Sequence, residues 1–79
     1  MLTVKVLGSG CSNCTKLEQV VRLAADRIGV QADVQKVDDY GEIMAYNVRE
    51  TPGLVINEHL VSAGRVPTES EVMNWLVNA

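Results

Sequence analysis

The chain contains only two cysteines, Cys11 and Cys14, and they mark the point where a predicted strand gives way to a predicted helix. The apolar, β-branched run Leu2–Leu7 predicts a strand that ends at Gly8. In the segment Ser12–Ile28, apolar residues recur at helical spacing, which predicts an amphipathic helix. The cysteine pair is therefore expected at a strand–helix turn, where a reactive group can be exposed.

This position predicts different roles for the two sulfurs. A cysteine reacts as its thiolate, and the free N–H groups and dipole of a helix N-terminus favour that anion. We expect the pKa of Cys11 to fall from about 8.5 to between about 3.5 and 7.5. Helical geometry places Cys14 beside the apolar stripe, facing inward, and Cys11 further towards solvent. The pattern predicts Cys11 as the nucleophile and Cys14 as the resolving thiol.

Two glycines around the pair are expected to shape the turn. Gly8 and Gly10 would let the backbone bend tightly and leave the attacking sulfur of Cys11 uncovered. Gly10 is therefore expected to border the bound substrate.

The middle of the chain predicts a second strand and a short second helix. Val30–Val37 alternates apolar and polar residues, as a half-buried strand does. Asp39, followed three residues later by Glu42, resembles a capping box at a helix start. Asn47 is expected to end this helix in a left-handed conformation.

The remainder predicts a β-hairpin and a last helix. Leu54–Ile56 and His59–Ala63 are predicted strands, joined by a two-residue turn at Asn57–Glu58. Thr68 and Glu71 form a second capping box, ahead of a helix with an apolar face. The predicted order is β-α-β-α-β-β-α, an α/β fold with a four-stranded mixed sheet flanked by three helices.

The short spacing of the two cysteines in a small chain argues against a purely structural disulfide. With 79 residues, the sequence 1–79 is expected to form one small domain. A disulfide closing a four-residue loop removes little entropy from the unfolded chain and stabilises it poorly. The two cysteines are therefore expected to do chemistry.

Charge and hydropathy exclude several classes of partner. The net charge is −3, without a basic run, which argues against nucleic-acid binding. The sequence has neither an apolar stretch long enough to span a membrane nor the pattern of a signal peptide. We expect a cytoplasmic protein, and in the cytosol a lone cysteine pair is more often catalytic, redox-sensing or metal-binding than structural.

Three short segments resemble the thioredoxin superfamily: Gly8–Cys14, Thr51–Leu54 and Gly64–Val66. The sequence is most similar to the very small archaeal and bacterial thioredoxin-like proteins called redox-active disulfide proteins, and the resemblance spans essentially the whole chain. It departs from typical thioredoxins in lacking the tryptophan before the first cysteine and the buried acid. Ser12 and Asn13 replace the usual Gly-Pro between the cysteines.

The resemblance implies a function and further site residues. It implies a cis peptide bond at Pro52, which would lie beside Cys11, with the Thr51 backbone pairing to an extended substrate. It also implies a thiol–disulfide oxidoreductase that needs no bound cofactor and acts as a monomer. The implied partners are a protein disulfide and an unidentified reductase or low-molecular-weight thiol.

Three alternatives to a thioredoxin-like activity stay open on the sequence. A small domain with Cys-x-x-Cys between a strand and a helix is also typical of soft-metal carriers, and two thiolates can hold a soft monovalent ion. A glutaredoxin-like use of glutathione is a variant within the same redox class. A redox-regulated binding module is the third. His59 is not expected to be a metal ligand.

Overall fold

The computed structural model describes residues 2–8 and 12–79, so Met1, Ser9, Gly10 and Cys11 lie outside the described residues. Within the described ranges the elements follow the predicted order, and their bounds are β1 (Leu2–Leu7), α1 (Ser12–Ile28), β2 (Ala32–Val37), α2 (Tyr40–Ala45), β3 (Gly53–Ile56), β4 (His59–Ala63) and α3 (Glu69–Val77). The predicted α/β architecture is confirmed.

The strands form one mixed sheet in the order β2-β1-β3-β4. β1 runs parallel to β2, in a register that pairs Leu7 with Val37. β3 runs antiparallel to β1 and pairs Gly53 with Leu7. The C-terminal ends of β1 and β2 and the N-terminal end of β3 therefore lie side by side at one end of the sheet. In sequence, the two cysteines follow β1 at this end.

Helices cover both faces of the sheet. Alternate residues of a strand point to opposite faces, so β1 contributes to two apolar clusters. On one face α1 and α3 contact each other and pack over the strands. That cluster includes Val4, Val6, Leu17, Val21, Leu54, Ile56, Val72 and Leu76. On the other face lies α2, in a smaller cluster of Leu7, Val37, Ile43, Val48 and Val55.

β2 begins at Ala32, two residues later than predicted. The reason is that Val30, the first residue of the predicted strand, takes part in the C-terminal cap of α1. Gly29 has a left-handed φ of 70°, and its N–H donates to the carbonyl of Asp26 at 3.3 Å. The N–H of Val30 donates to the carbonyl of Ala25 at 3.1 Å. These two bonds form a Schellman motif, so the N–H of Val30 is bonded to the end of α1.

The predicted turn and caps are confirmed. Asn57 and Glu58 both have positive φ, 49° and 69°, as a type I′ hairpin turn requires. Asn47 is left-handed just beyond α2, with a φ of 61°. Asp39 accepts a hydrogen bond from the N–H of Glu42, and Thr68 opens a complete capping box.

No helix in the described ranges is long and apolar enough to cross a membrane.

Candidate active site

Cys14 lies in the first turn of α1 and is buried. Its relative exposure is 2%, although Ser12, Asn13 and Thr15 around it are exposed. The prediction that Cys14 faces inward is confirmed. Its sulfur is disulfide-bonded. Cys11 and Gly10 lie outside the described residues, so their predicted roles stay predictions.

Gly8 brings the end of β1 against the Cys14 sulfur. A β-carbon at position 8 would collide with Cys14 Sγ and would lie 3.4 Å from the β-carbon of Thr51. Gly8 has a φ of 151°, which favours glycine, and its N–H donates to the carbonyl of Val37 at 2.9 Å. The glycine therefore lets three segments of the chain converge on the buried sulfur.

The third of these segments carries a cis peptide bond between Thr51 and Pro52, as the resemblance implied. Pro52 is fully buried, whereas Thr51 is exposed. The carbonyl of Pro52 accepts a hydrogen bond of 2.9 Å from the N–H of Gly64. This bond ties the Thr51–Pro52 turn to the end of β4, so that the turn is held beside Gly8 and Cys14.

Comparison with known protein families agrees with this arrangement of Cys14, Gly8 and the Thr51–Pro52 turn. Residues 2–77 match the family model of the thioredoxin domain. The chain belongs to the thioredoxin domain family. Over 76 residues it is 31% identical to a thioredoxin of Methanothermobacter thermautotrophicus, covering 96% of this chain and 99% of that protein. It is equally 31% identical to a thioredoxin of Methanocaldococcus jannaschii, covering 96% and 87% of the two chains.

A solved structure supports the same fold. The chain is similar to thioredoxin-2 of the malaria parasite, described as a component of the parasite's protein secretion machinery, with a TM-score of 0.74 and 13% identity. The match covers all of this chain and 84% of the other. At this low identity the likeness concerns the thioredoxin fold alone.

Glu50 lies close to the site edge, but its side chain rests against Gly64. A β-carbon at position 64 would lie 2.7 Å from Glu50 Oε2, and Gly64 has a left-handed φ of 80°. The sequence leaves open whether Glu50, two residues before Pro52, approaches the cysteines of this thioredoxin-domain protein. In the structure its side chain packs beside the turn that precedes α3.

The interior of the thioredoxin fold is almost wholly apolar here. In the ranges 2–8 and 12–79, Ser62 is the one buried polar residue, and every acidic residue is partly or fully exposed. His59 is exposed, and the described residues contain no cluster of three potential metal ligands.

Sequence reasoning missed a polar cluster on the α2 face of the sheet, formed by Lys5, Tyr46 and Glu58. Lys5 Nζ donates to the Tyr46 hydroxyl at 2.9 Å and pairs with Glu58 Oε1 at 3.0 Å. The Tyr46 hydroxyl donates to Glu58 Oε2 at 2.9 Å. These bonds raise the pKa of Lys5, chiefly through Tyr46, and lower the pKa of Glu58, chiefly through Lys5.

The Lys5–Tyr46–Glu58 cluster lies away from the cysteine end of the sheet, because Glu58 belongs to the opposite hairpin turn. It joins β1, the end of α2 and the β3–β4 turn. The only sequence signal was Glu58 itself, which occupies a turn position where glycine is favoured.

Proposed function

We propose that the protein is a thiol–disulfide oxidoreductase that works through Cys11 and Cys14. The observation that carries the proposal is the convergence of three features on one buried sulfur. Cys14 lies in the first turn of α1, Gly8 leaves room for its sulfur, and Thr51 lies beside both. Membership of the thioredoxin domain family and the two thioredoxin relatives support the same activity.

In the proposed reaction two electrons pass from the protein to the substrate. The thiolate of Cys11 attacks one sulfur of the substrate disulfide, forms a mixed disulfide and releases the first substrate thiolate, which takes up a proton. The thiolate of Cys14 then attacks the Cys11 sulfur, forms the Cys11–Cys14 bond and releases the second substrate thiolate. The oxidised product of this reaction is a state in which Cys14 is disulfide-bonded, as it is in the structure.

The burial of Cys14 supports this order of attack. A sulfur that is 2% exposed is poorly placed to meet a protein disulfide, so the proposal gives the first attack to Cys11. Cys14 would act only after Cys11 has drawn the substrate sulfur to the helix end.

The Thr51–Pro52 turn and Gly10 are the proposed borders of the substrate groove. Pro52 has no N–H and its carbonyl is already bound to Gly64, so the neighbouring Thr51, which is exposed, is the residue available to pair with an extended substrate. The proposed partners are a protein disulfide and a reductase or low-molecular-weight thiol. The proposed location is the cytoplasm, where the protein acts as a monomer.

Single-cysteine variants test the two roles. Cys14→Ser should trap a stable mixed disulfide with an oxidised substrate protein through Cys11, detected by mass spectrometry. Cys11→Ser, the matched control, should trap little, because the remaining sulfur is buried. Trapping through Cys14 alone would reverse the assignment, and reduced wild-type protein that fails to reduce any disulfide would overturn the proposed activity.

A further inference from the structure

An exposed apolar pair lies on the outer surface of α2. Tyr40 is 76% exposed and Met44 is 44% exposed, and side chains four residues apart are neighbours on a helix surface. Ile43, between them in sequence, is buried against the sheet and holds the helix in place. We call Tyr40 and Met44 the α2 patch.

Tyr40 differs from the other aromatic residues of the chain, which are Tyr46 and Trp75. The Tyr46 hydroxyl is hydrogen-bonded to Lys5 and Glu58, and Trp75 packs against the larger core. Tyr40 is the aromatic ring that remains open to solvent. Exposed tyrosines supply rigid contact area for binding, and nothing in the fold of the described residues requires this one.

The α2 patch begins near the candidate active site. Tyr40 is three residues beyond Val37, so their α-carbons are at most about 11 Å apart. The carbonyl of Val37 accepts the N–H of Gly8, and Gly8 touches Cys14. The ring therefore lies within reach of a polypeptide that is bound at the cysteines, a few residues away from the reacting disulfide.

The segment that carries the α2 patch is acidic. The segment 37–48 contains three carboxylates, Asp38, Asp39 and Glu42, and neither lysine nor arginine. All three acidic residues are exposed. The preceding cation, Lys36, lies 3.7 Å from Glu18 on α1. Lys5 lines a pocket together with Glu42, so a partner that covers the patch would meet an apolar centre whose acidic border lies at the start of α2, at Asp38 and Asp39.

We propose that the α2 patch binds the segment next to the reactive cysteine of a substrate protein, and that it selects segments with apolar and basic residues. The inference rests on the proposed oxidoreductase function and deepens it by naming a substrate class. Tyr40 and Met44 provide the apolar contact, and Asp38 attracts the cation. The complementarity acts on the rate of encounter as well as on affinity.

Two disulfide-linked peptides of equal length test this selection. Each peptide contains the same internal disulfide. Three to five residues from one of its cysteines, the first peptide carries Lys and Leu and the second carries Glu and Ser. Reduced protein is mixed with each peptide in a single turnover, and the second-order rate constant is measured. The Lys/Leu peptide should react about fivefold faster or more at low salt, and salt should diminish the preference.

Variants then locate the preference. The double variant Tyr40→Ser/Met44→Ser should lose most of the selectivity, and Asp38→Asn should lose its charge-dependent part. Leu23→Ser is the matched control, because Leu23 is 54% exposed but lies on α1. Hydroxyethyl disulfide, a small neutral substrate, should be reduced at the same rate by all four proteins.

The outcomes separate the two proposals. If wild-type protein reduces none of the disulfides, the proposed function fails. If it reduces hydroxyethyl disulfide and both peptides equally well, the oxidoreductase stands and the substrate selection by the α2 patch is wrong. A preference that survives in Tyr40→Ser/Met44→Ser would also overturn the patch as its source.

Discussion

The sulfur of Cys14 lies so close to Gly8 that a β-carbon at position 8 would overlap it. This contact joins the end of β1 to the first turn of α1. The sulfur can be buried there because residue 8 is a glycine and has no side chain. The position also has a φ of 151°, which disfavours other residues.

Gly8→Ala should destabilise the protein more than Gly29→Ala, measured as the free energy of unfolding in urea. Gly29 has a left-handed φ of 70° but open space around it, so its replacement reports backbone strain of about 1–2 kcal/mol. The collision with the Cys14 sulfur should add about 1–3 kcal/mol at position 8. Equal losses in the two variants would show that the sulfur contact has no energetic weight.

Tyr46→Phe should lower the free energy of unfolding by about 0.5–1.5 kcal/mol, because it removes the hydroxyl that bonds both Lys5 and Glu58. Tyr40→Phe is the control, since that ring is 76% exposed. The comparison is made by urea denaturation under identical conditions. A loss as large in Tyr40→Phe would contradict the importance of the cluster.

The stability of the protein should fall between pH 4.5 and 2 in a way that depends on Glu71. Arg65 binds both carboxylate oxygens, at 3.0 and 2.7 Å, and with the Thr68 N–H it lowers the pKa of Glu71 from 4.5 to about 2. A lowered folded-state pKa adds stability above the unfolded-state value, which is lost as pH falls through the folded-state value. Thermal unfolding of Glu71→Gln should therefore depend less on pH over this interval.

The same ion pair offers an independent measurement. In Arg65→Gln, the pKa of Glu71 followed by NMR should rise towards 4.5, because the first cause of its depression is gone. A Glu71 pKa that stays near 2 in this variant would assign the shift to the helix cap instead.

Gly64→Ala should destabilise the turn that holds the Pro52 carbonyl, and Glu50→Ala should relieve part of the loss. The backbone strain at a φ of 80° remains in both backgrounds and costs about 1–2 kcal/mol. The clash with the Glu50 carboxylate disappears when that side chain is shortened. A double-mutant cycle should give a coupling of about 0.5 kcal/mol or more, whereas strict additivity would exclude the contact.

Alkylation of the reduced protein across a range of pH should modify Cys11 before Cys14. The expected pKa of Cys11 is well below about 8.5, because a helix N-terminus favours the thiolate. Cys14 should react slowly because it is buried. Peptide mapping by mass spectrometry distinguishes the two sites, and a pKa near 8.5 at Cys11 would count against its role as the nucleophile.

The elements of this fold are encoded locally and could be predicted from neighbouring residues. The helical stripe of α1, the turn at Asn57–Glu58 and the cap at Thr68 each depend on residues a few positions apart. The start of β2 was misplaced for a local reason that the pattern did not reveal, since Val30 is apolar but its N–H closes the end of α1.

By itself, the sequence determined the order of strands and helices, the inward direction of Cys14 and the class of chemistry that a cysteine pair at a strand–helix turn suggests. Only the tertiary structure decided which distant residues meet. Gly8 with Cys14 and Thr51, Glu50 with Gly64, and Lys5 with Tyr46 and Glu58 are contacts between segments that only the folded sheet brings together. Periodicity reports which face a side chain occupies, but the partner across that face depends on strand register and helix placement.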